Sequence, residues 1–320
     1  MRAYTVTETG RPPVLRSVDI PKPGPGELRV RIGACGLNFA DLLMMKGDYQ
    51  DTPAPPFTLG MEVAGTVEAL GDGVAAPDPG TRVAVFGGQG GLADYGCFPA
   101  DRAVAIPDAM SFEQAAAFQI AYGTSHVALE HRARLQPGET LLVLGAAGGV
   151  GLTAVEIGKL MGARVIACAR GPEKLAVAKA AGADHLIDAK TEDIRAVCKS
   201  LGGLDVVYDP VGGDQFKAAF RACNPEARLL PIGFASGDIP QIPANHLLVK
   251  NLSVLGLYWG GYLKFRPEVI KSSLDSLVSW FTQGKLTPHI SHSLPLDRAG
   301  DALELLRSRT STGKVVVTPD

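Results

Sequence analysis

Four glycines stand close together in the segment LLVLGAAGGVGLTAVEIGKLMGA: Gly145, Gly148, Gly149 and Gly151. Residues 141–145 form a short apolar run that reads as a buried strand, and residues 152–163 carry apolar positions at helical spacing. A strand that passes into a helix over bare glycines brings main-chain N–H groups to the positive end of that helix, where they can hold a pyrophosphate. Ala147, Gly148, Gly149 and Val150 are therefore candidate diphosphate ligands. The next strand, RVIACAR (residues 164–170), ends in Ala169, Arg170 and Gly171. An NAD-preferring site usually ends that strand with a carboxylate for the ribose hydroxyl. Here Arg170 offers planar donors to a 2′-phosphate and Lys174 adds a point charge, so the pattern predicts NADPH rather than NADH. No G-x-S-x-G elbow and no H-E-x-x-H pair occurs, which leaves hydrolase and metalloprotease chemistry without an anchor.

These groups need a scaffold, and the rhythm of the chain predicts one. From about residue 121 to 257 short apolar strands alternate with helical segments: LLVLG, LTAVEIGKLMGA, RVIACAR, PEKLAVAKAAGA, HLID, TEDIRAVCKSLGG, LDVVYDPV, GDQFKAAFRACN and ARLLPIGF. Such a series calls for a doubly wound parallel sheet covered by helices on both faces. Residues 1–120 are punctuated by Pro and Gly between short β-branched runs, the pattern of an irregular, mostly antiparallel β domain. After about residue 258 come an amphipathic segment (residues 267–283), a helix DRAGDALELLRS and a closing strand KVVVTP. That strand needs a sheet edge, so the sequence predicts that residues 258–320 return to the first domain and that residues 121–257 form the dinucleotide-binding domain.

The chain of 320 residues, 46% hydrophobic and 20% charged, is long enough for two cores. Its 31 basic against 33 acidic residues give a formal charge of −2, no footprint for a polyanion, so nucleic acid is not expected as a partner. The opening MRAYTVTETG lacks the basic flank and apolar run of a signal peptide, and the apolar stretch at residues 141–155 is too short and glycine-rich for a bilayer. A cytoplasmic protein with no membrane partner is expected. Five scattered cysteines without a C-x-x-C pair read as reduced, mostly buried thiols.

Taken together, LNFADLLMMKGDY, TLGMEVAGTV, GLADYGCFPA, AYGTSHVAL, GAAGGVG, YDPVGG and STGKVVV resemble the zinc-free quinone oxidoreductase branch of the medium-chain dehydrogenase/reductase superfamily, from end to end of the chain. The resemblance implies a GroES-like substrate domain built from both chain ends, an inserted Rossmann domain, and a homodimer or homotetramer. It implies that Asn38 and Tyr49 lie near nicotinamide and substrate, Tyr49 as hydrogen-bond or proton donor and Asn38 as an orienting amide. It also implies that Thr124 meets the nicotinamide end, that Gly233, Phe234 and Ala235 close a strand beside the cofactor, that Leu257, Tyr258 and Trp259 flank the nicotinamide amide, and that Lys314 reaches the cofactor. Asp41, in the same pattern, reads as a helix-start residue placed to suit the dipole. Two positions depart from the pattern: Ala189 replaces a Tyr that stands beside the 2′-phosphate in relatives, leaving Lys190 as its substitute, and Lys46 replaces an Arg.

Zinc-dependent relatives carry Cys where this chain has Asn38 and His where it has Met61, ahead of Glu62, and the lobe with four cysteines is missing. Neither Asn nor Met is a normal zinc ligand, so no metal is expected. Alcohol oxidation then lacks the Lewis acid that stabilises an alkoxide. A quinone or an α,β-unsaturated carbonyl accepts hydride more easily, because the incoming charge spreads onto an oxygen that needs only hydrogen-bond donors. The expected activity is NADPH-dependent reduction of such an acceptor in a cleft between the domains. The alternatives are an enoyl-CoA or acryloyl-CoA type reductase using the same Tyr49, and a catalytically idle NADPH-binding protein.

Overall fold

The computed structural model describes residues 1–319, and the chain divides into two compact units, Met1–Ile120 with the segment from Pro288 onward, and Ala121–Thr287. Among the described residues no helix is long and apolar enough to cross a membrane.

The first unit is mostly β. Its long strand Glu27–Gly36 buries alternate residues Leu28, Val30 and Ile32, the period of a strand with one face on the core. It pairs antiparallel with Glu62–Leu70, with Tyr95–Pro99 and with the closing strand Lys314–Thr318, whose Val316 and Val317 face Gly36 and Cys35. The sheet core gathers Leu28, Val30, Val63, Val67, Val85, Phe98, Val315 and Val317. A short helix, Phe39–Lys46, follows the long strand. Asn38 N donates to Asp41 Oδ2 at 2.8 Å at its start, and Gly47 in the left-handed region (φ 84°) ends it.

The second unit holds six parallel strands in the order His185–Asp188, Arg164–Ala169, Thr140–Leu144, Leu204–Asp209, Cys223–Pro231, Ser253–Val254. Every residue of Thr140–Leu144 is buried, as required of a strand covered on both faces. The chain builds outward on one side of Thr140–Leu144, then returns to build on the other. That reversal opens a crevice at the carboxyl ends of the central strands, where ligands bind in open α/β sheets. A mostly-β unit and a doubly wound α/β unit are the fold class the sequence predicts.

One boundary differs. Residues 258–287, assigned by sequence to the first domain, lie in the second unit. The helix Pro267–Thr282 buries Ile270, Leu274 and Leu277; its Ser273 Oγ lies 2.9 Å from His126 Nδ1, and Trp280 meets the His126 ring edge-on. Thr287 N donates to Glu156 Oε1 at 2.7 Å. The apolar face of an amphipathic helix needs a partner, but its period does not say which one.

Candidate functional site

Within the glycine turn, Gly145 and Gly151 are required by the fold and Gly148 is not. Gly145 adopts φ +58°, and a Cβ there would stand 2.9 Å from Val211 Cγ2. A Cβ on Gly151 would stand 2.2 Å from Gly145 O. Both are demanded by the close approach of strand, turn and helix. Gly148 is different: it is extended (φ −82°, ψ 175°), and its Cβ would meet only Gly145 O at 3.4 Å, an ordinary contact. It is exposed and caps the twelve-residue helix Gly149–Leu160 with no side-chain hydrogen bond. The first-turn N–H groups of Gly149, Val150 and Gly151 thus face a bare position with partial positive charge, the arrangement that holds a phosphate. Ala147, beside them, is buried. These residues fit a dinucleotide diphosphate.

At the end of Arg164–Ala169, Arg170 is exposed and Lys174 is half-buried in the next helix. Lys190 Nζ lies 3.8 Å from where a Cβ on Gly171 would stand, so Lys190 joins this cationic corner. The sequence placed no carboxylate here, but the fold supplies one. Asp188 pairs in register with Ala169, and its Oδ1 accepts from Gly171 N and Lys190 N, both at 3.0 Å. Those N–H groups hold its carboxyl below the usual range. The signal was the strand register: the last residue of one parallel strand stands beside the last residue of its neighbour.

The loop after Cys223–Pro231 returns to the same strand ends. Ile232 N donates to Asp209 O at 2.7 Å and Ala235 N to Pro210 O at 3.1 Å, which brings Gly233, exposed Phe234 and Ala235 beside the loop that touches Gly145. Thr124 lies buried in the helix Gln119–His126. A Cβ on its neighbour Gly123 would stand 2.7 Å from Trp259 Nε1, so this helix packs directly on Trp259 beside Thr124. Sequence reasoning missed what joins this helix to the glycine turn. Ser125 Oγ donates to Val150 O at 2.9 Å and lies within 3.0 Å of Tyr208 Oη, while Thr153 Oγ1 donates to Ala121 O at 3.0 Å.

In the first unit Tyr49 follows the Phe39–Lys46 helix, half-buried, with its ring packed against the core and its carbonyl accepting from Thr52 N and Oγ1. Asn38 is more committed than the sequence implied. Its Oδ1 accepts from Lys314 Nζ at 2.8 Å, and its Nδ2 donates to Glu62 Oε1 at 3.0 Å and Gly36 O at 3.3 Å. Lys314 corrects an expectation outright. Its ammonium is buried and spends all three donors on Leu37 O, Asn38 Oδ1 and Glu62 Oε1, so none remains for a cofactor.

Two matches to known families cover most of the chain: residues 24–108 match the alcohol dehydrogenase GroES-like domain and residues 149–278 the zinc-binding dehydrogenase family. The quinone oxidoreductase-like protein 2 homolog of Nematostella vectensis is 42% identical over 99% of this chain and 88% of its own length. The Escherichia coli quinone oxidoreductase, solved in complex with NADPH, superposes with a TM-score of 0.92 at 29% identity over 100% of both chains. The Thermus thermophilus quinone oxidoreductase, solved alone and with NADPH, gives 0.87 at 34% identity over 99% of this chain and 100% of that one. The chain belongs to the quinone oxidoreductase branch of the medium-chain dehydrogenase/reductase superfamily. It is similar also to the human synaptic vesicle membrane protein VAT-1 homolog, 33% identical over 93% of this chain and 80% of that protein.

The zinc in the description of the matched family does not fit this oxidoreductase. Asn38 and Met61 offer an amide and a thioether, neither a normal zinc ligand, and the Lys314 ammonium already sits on Asn38 Oδ1 and Glu62 Oε1. Among the described residues no three His, Cys, Asp or Glu side chains group as a metal site. His289 and His292 bond instead to Thr312 and Ser291 hydroxyls.

Proposed function

We propose that this oxidoreductase takes NADPH and reduces quinones or α,β-unsaturated carbonyl compounds, the Ala121–Thr287 unit binding the dinucleotide and the other unit serving the substrate. The observation that carries the reading is Gly148: a bare, exposed helix cap that the protein's own packing does not require, in a turn where Gly145 and Gly151 are packed shut. Relatives of this fold solved with NADPH support the choice of dinucleotide, as do Arg170 and Lys190 at the strand end.

NADPH supplies the hydride when bound. Gly149, Val150 and Gly151 hold the diphosphate through their N–H groups, and Arg170, Lys174 and Lys190 hold the 2′-phosphate. Asp188 stands against that charge and tempers the preference for the phosphorylated form. The Ser125–Val150 bond holds the Thr124 helix at a set distance from the glycine turn. Negative charge developing on the substrate oxygen is met by Tyr49 Oη, which donates a hydrogen bond and then its proton. Titrating the protein with NADPH and NADH by dinucleotide fluorescence, then measuring rates on quinone, enone and enoyl-CoA panels, tests the reading. Faster turnover of enoyl thioesters transfers the assignment to the thioester reductase. Tight NADPH binding with no turnover of any acceptor refutes an enzyme.

A further inference from the structure

The proposed reaction leaves unused a buried charge cluster in the first unit. Lys314 is 5% exposed and Glu62 1%, and Lys314 Nζ lies 2.9 Å from Leu37 O, 2.8 Å from Asn38 Oδ1 and 2.5 Å from Glu62 Oε1. Three acceptors on one nitrogen require three N–H groups, so the side chain is an ammonium and not a neutral amine. Every acceptor is an oxygen: a carboxylate, an amide and a main-chain carbonyl. That is the donor set of a hard-cation site. The shell around it is also closed. Glu62 Oε2 accepts from Ile120 N at 2.9 Å, Asn38 Nδ2 donates to Glu62 Oε1 and Gly36 O, and buried Asp41 accepts from Asn38 N and Gly60 N.

We propose that the Lys314 ammonium is a tethered cation filling an oxygen-lined cation pocket, where it takes the place of a free ion and locks Asn38 at the head of the helix that leads to Tyr49. A divalent ion cannot share the pocket, because it would meet a like charge inside the same oxygen cage. Asn38 and Met61 are not normal zinc ligands, and the Lys314 ammonium takes up the oxygens of Asn38 and Glu62 that remain. Lys314 acts on Tyr49 through the helix start, as a positioning residue; that clause rests on the function proposed above, and the pocket itself does not.

The test deletes the cation and returns it. Lys314→Ala removes Cγ to Nζ, which is n-propylammonium. The thermal midpoint of the variant is expected to fall by roughly 6–20 °C, as when one partner of a buried pair is removed. It should recover saturably with n-propylammonium and not with tetramethylammonium at equal concentration; equal effects of the two ions overturn the proposal. The pair Lys314→Met and Lys314→Met/Glu62→Gln covers the case in which Lys314→Ala does not fold. The double variant should regain at least half of what the single loses, since removing both charges leaves none stranded. A double variant no more stable, or no more recoverable, than the single overturns the proposal. Turnover recovered by n-propylammonium together with the midpoint supports the positioning role, and recovery of the midpoint without turnover removes that role while leaving the pocket.

Discussion

Two substitutions three residues apart should separate the glycine that serves the fold from the one that serves the ligand. Gly151→Ala places a Cβ 2.2 Å from Gly145 O and 2.9 Å from Gly145 C. Both are backbone atoms of the turn, so no flexible side chain can yield. Overpacking of this type costs roughly 1–3 kcal/mol, a fall in thermal midpoint of roughly 2–12 °C for a unit of this size. Gly148→Ser meets no such obstacle, because the residue is extended and its nearest neighbour stands at 3.4 Å. Serine is a preferred helix cap whose Oγ accepts from the second or third helical N–H, here Val150 or Gly151. Stability should hold or rise by a few tenths of a kcal/mol. Those same N–H groups are the ones assigned to the diphosphate, and each hydrogen bond to a charged group is worth about 1.5–3 kcal/mol. Losing one weakens NADPH binding by roughly 10- to 100-fold. Thermal unfolding of the apo-protein and fluorescence titration with NADPH read the two effects separately. Wild-type NADPH affinity in Gly148→Ser, or a stability loss matching that of Gly151→Ala, would refute the division of roles.

Arg170→Ala should weaken NADPH binding by at least tenfold and NADH binding far less; equal losses in paired titrations remove the 2′-phosphate assignment. Tyr49→Phe should lower turnover at least tenfold with NADPH affinity nearly intact, because only the hydroxyl is deleted from a ring that packs on the core; an unchanged rate removes its proton-donor role. Burial pushes the Asp41 carboxyl up to about 7 from an ordinary 3.8, so the folded chain holds its proton more tightly than the unfolded one. The stabilisation this represents, roughly 4 kcal/mol, is complete below about pH 4 and is lost as pH rises through about 7. The stability of wild type relative to Asp41→Asn should therefore decline from pH 5 to pH 8 in urea unfolding, and a difference independent of pH would contradict the assignment.

Much of the fold was legible because it is written in local periods. The alternation of apolar strand and amphipathic helix over residues 121–257 specifies parallel strands whatever the rest of the chain does, and the glycine turn announces itself within seven residues. The helix at Phe39–Lys46 was readable from Asn38 and Asp41. What escaped was contact over long separations. Asp188 is far from Gly171 along the chain and became its hydrogen-bond partner only through strand register. The amphipathic stretch Pro267–Thr282 announced that it would bury a face without naming the surface that covers it.

By itself the sequence determined the two architectures, the glycine turn between strand and helix and the residue types at its cationic corner, since each depends on steric and charge preferences that act between near neighbours. The tertiary structure alone decided what the polar residues of the first unit are for. Lys314 meets Glu62 across 252 residues. A buried ammonium is tolerated only where the fold surrounds it with acceptors on every side, and that enclosure turns a residue expected at the cofactor into the closed centre of another site.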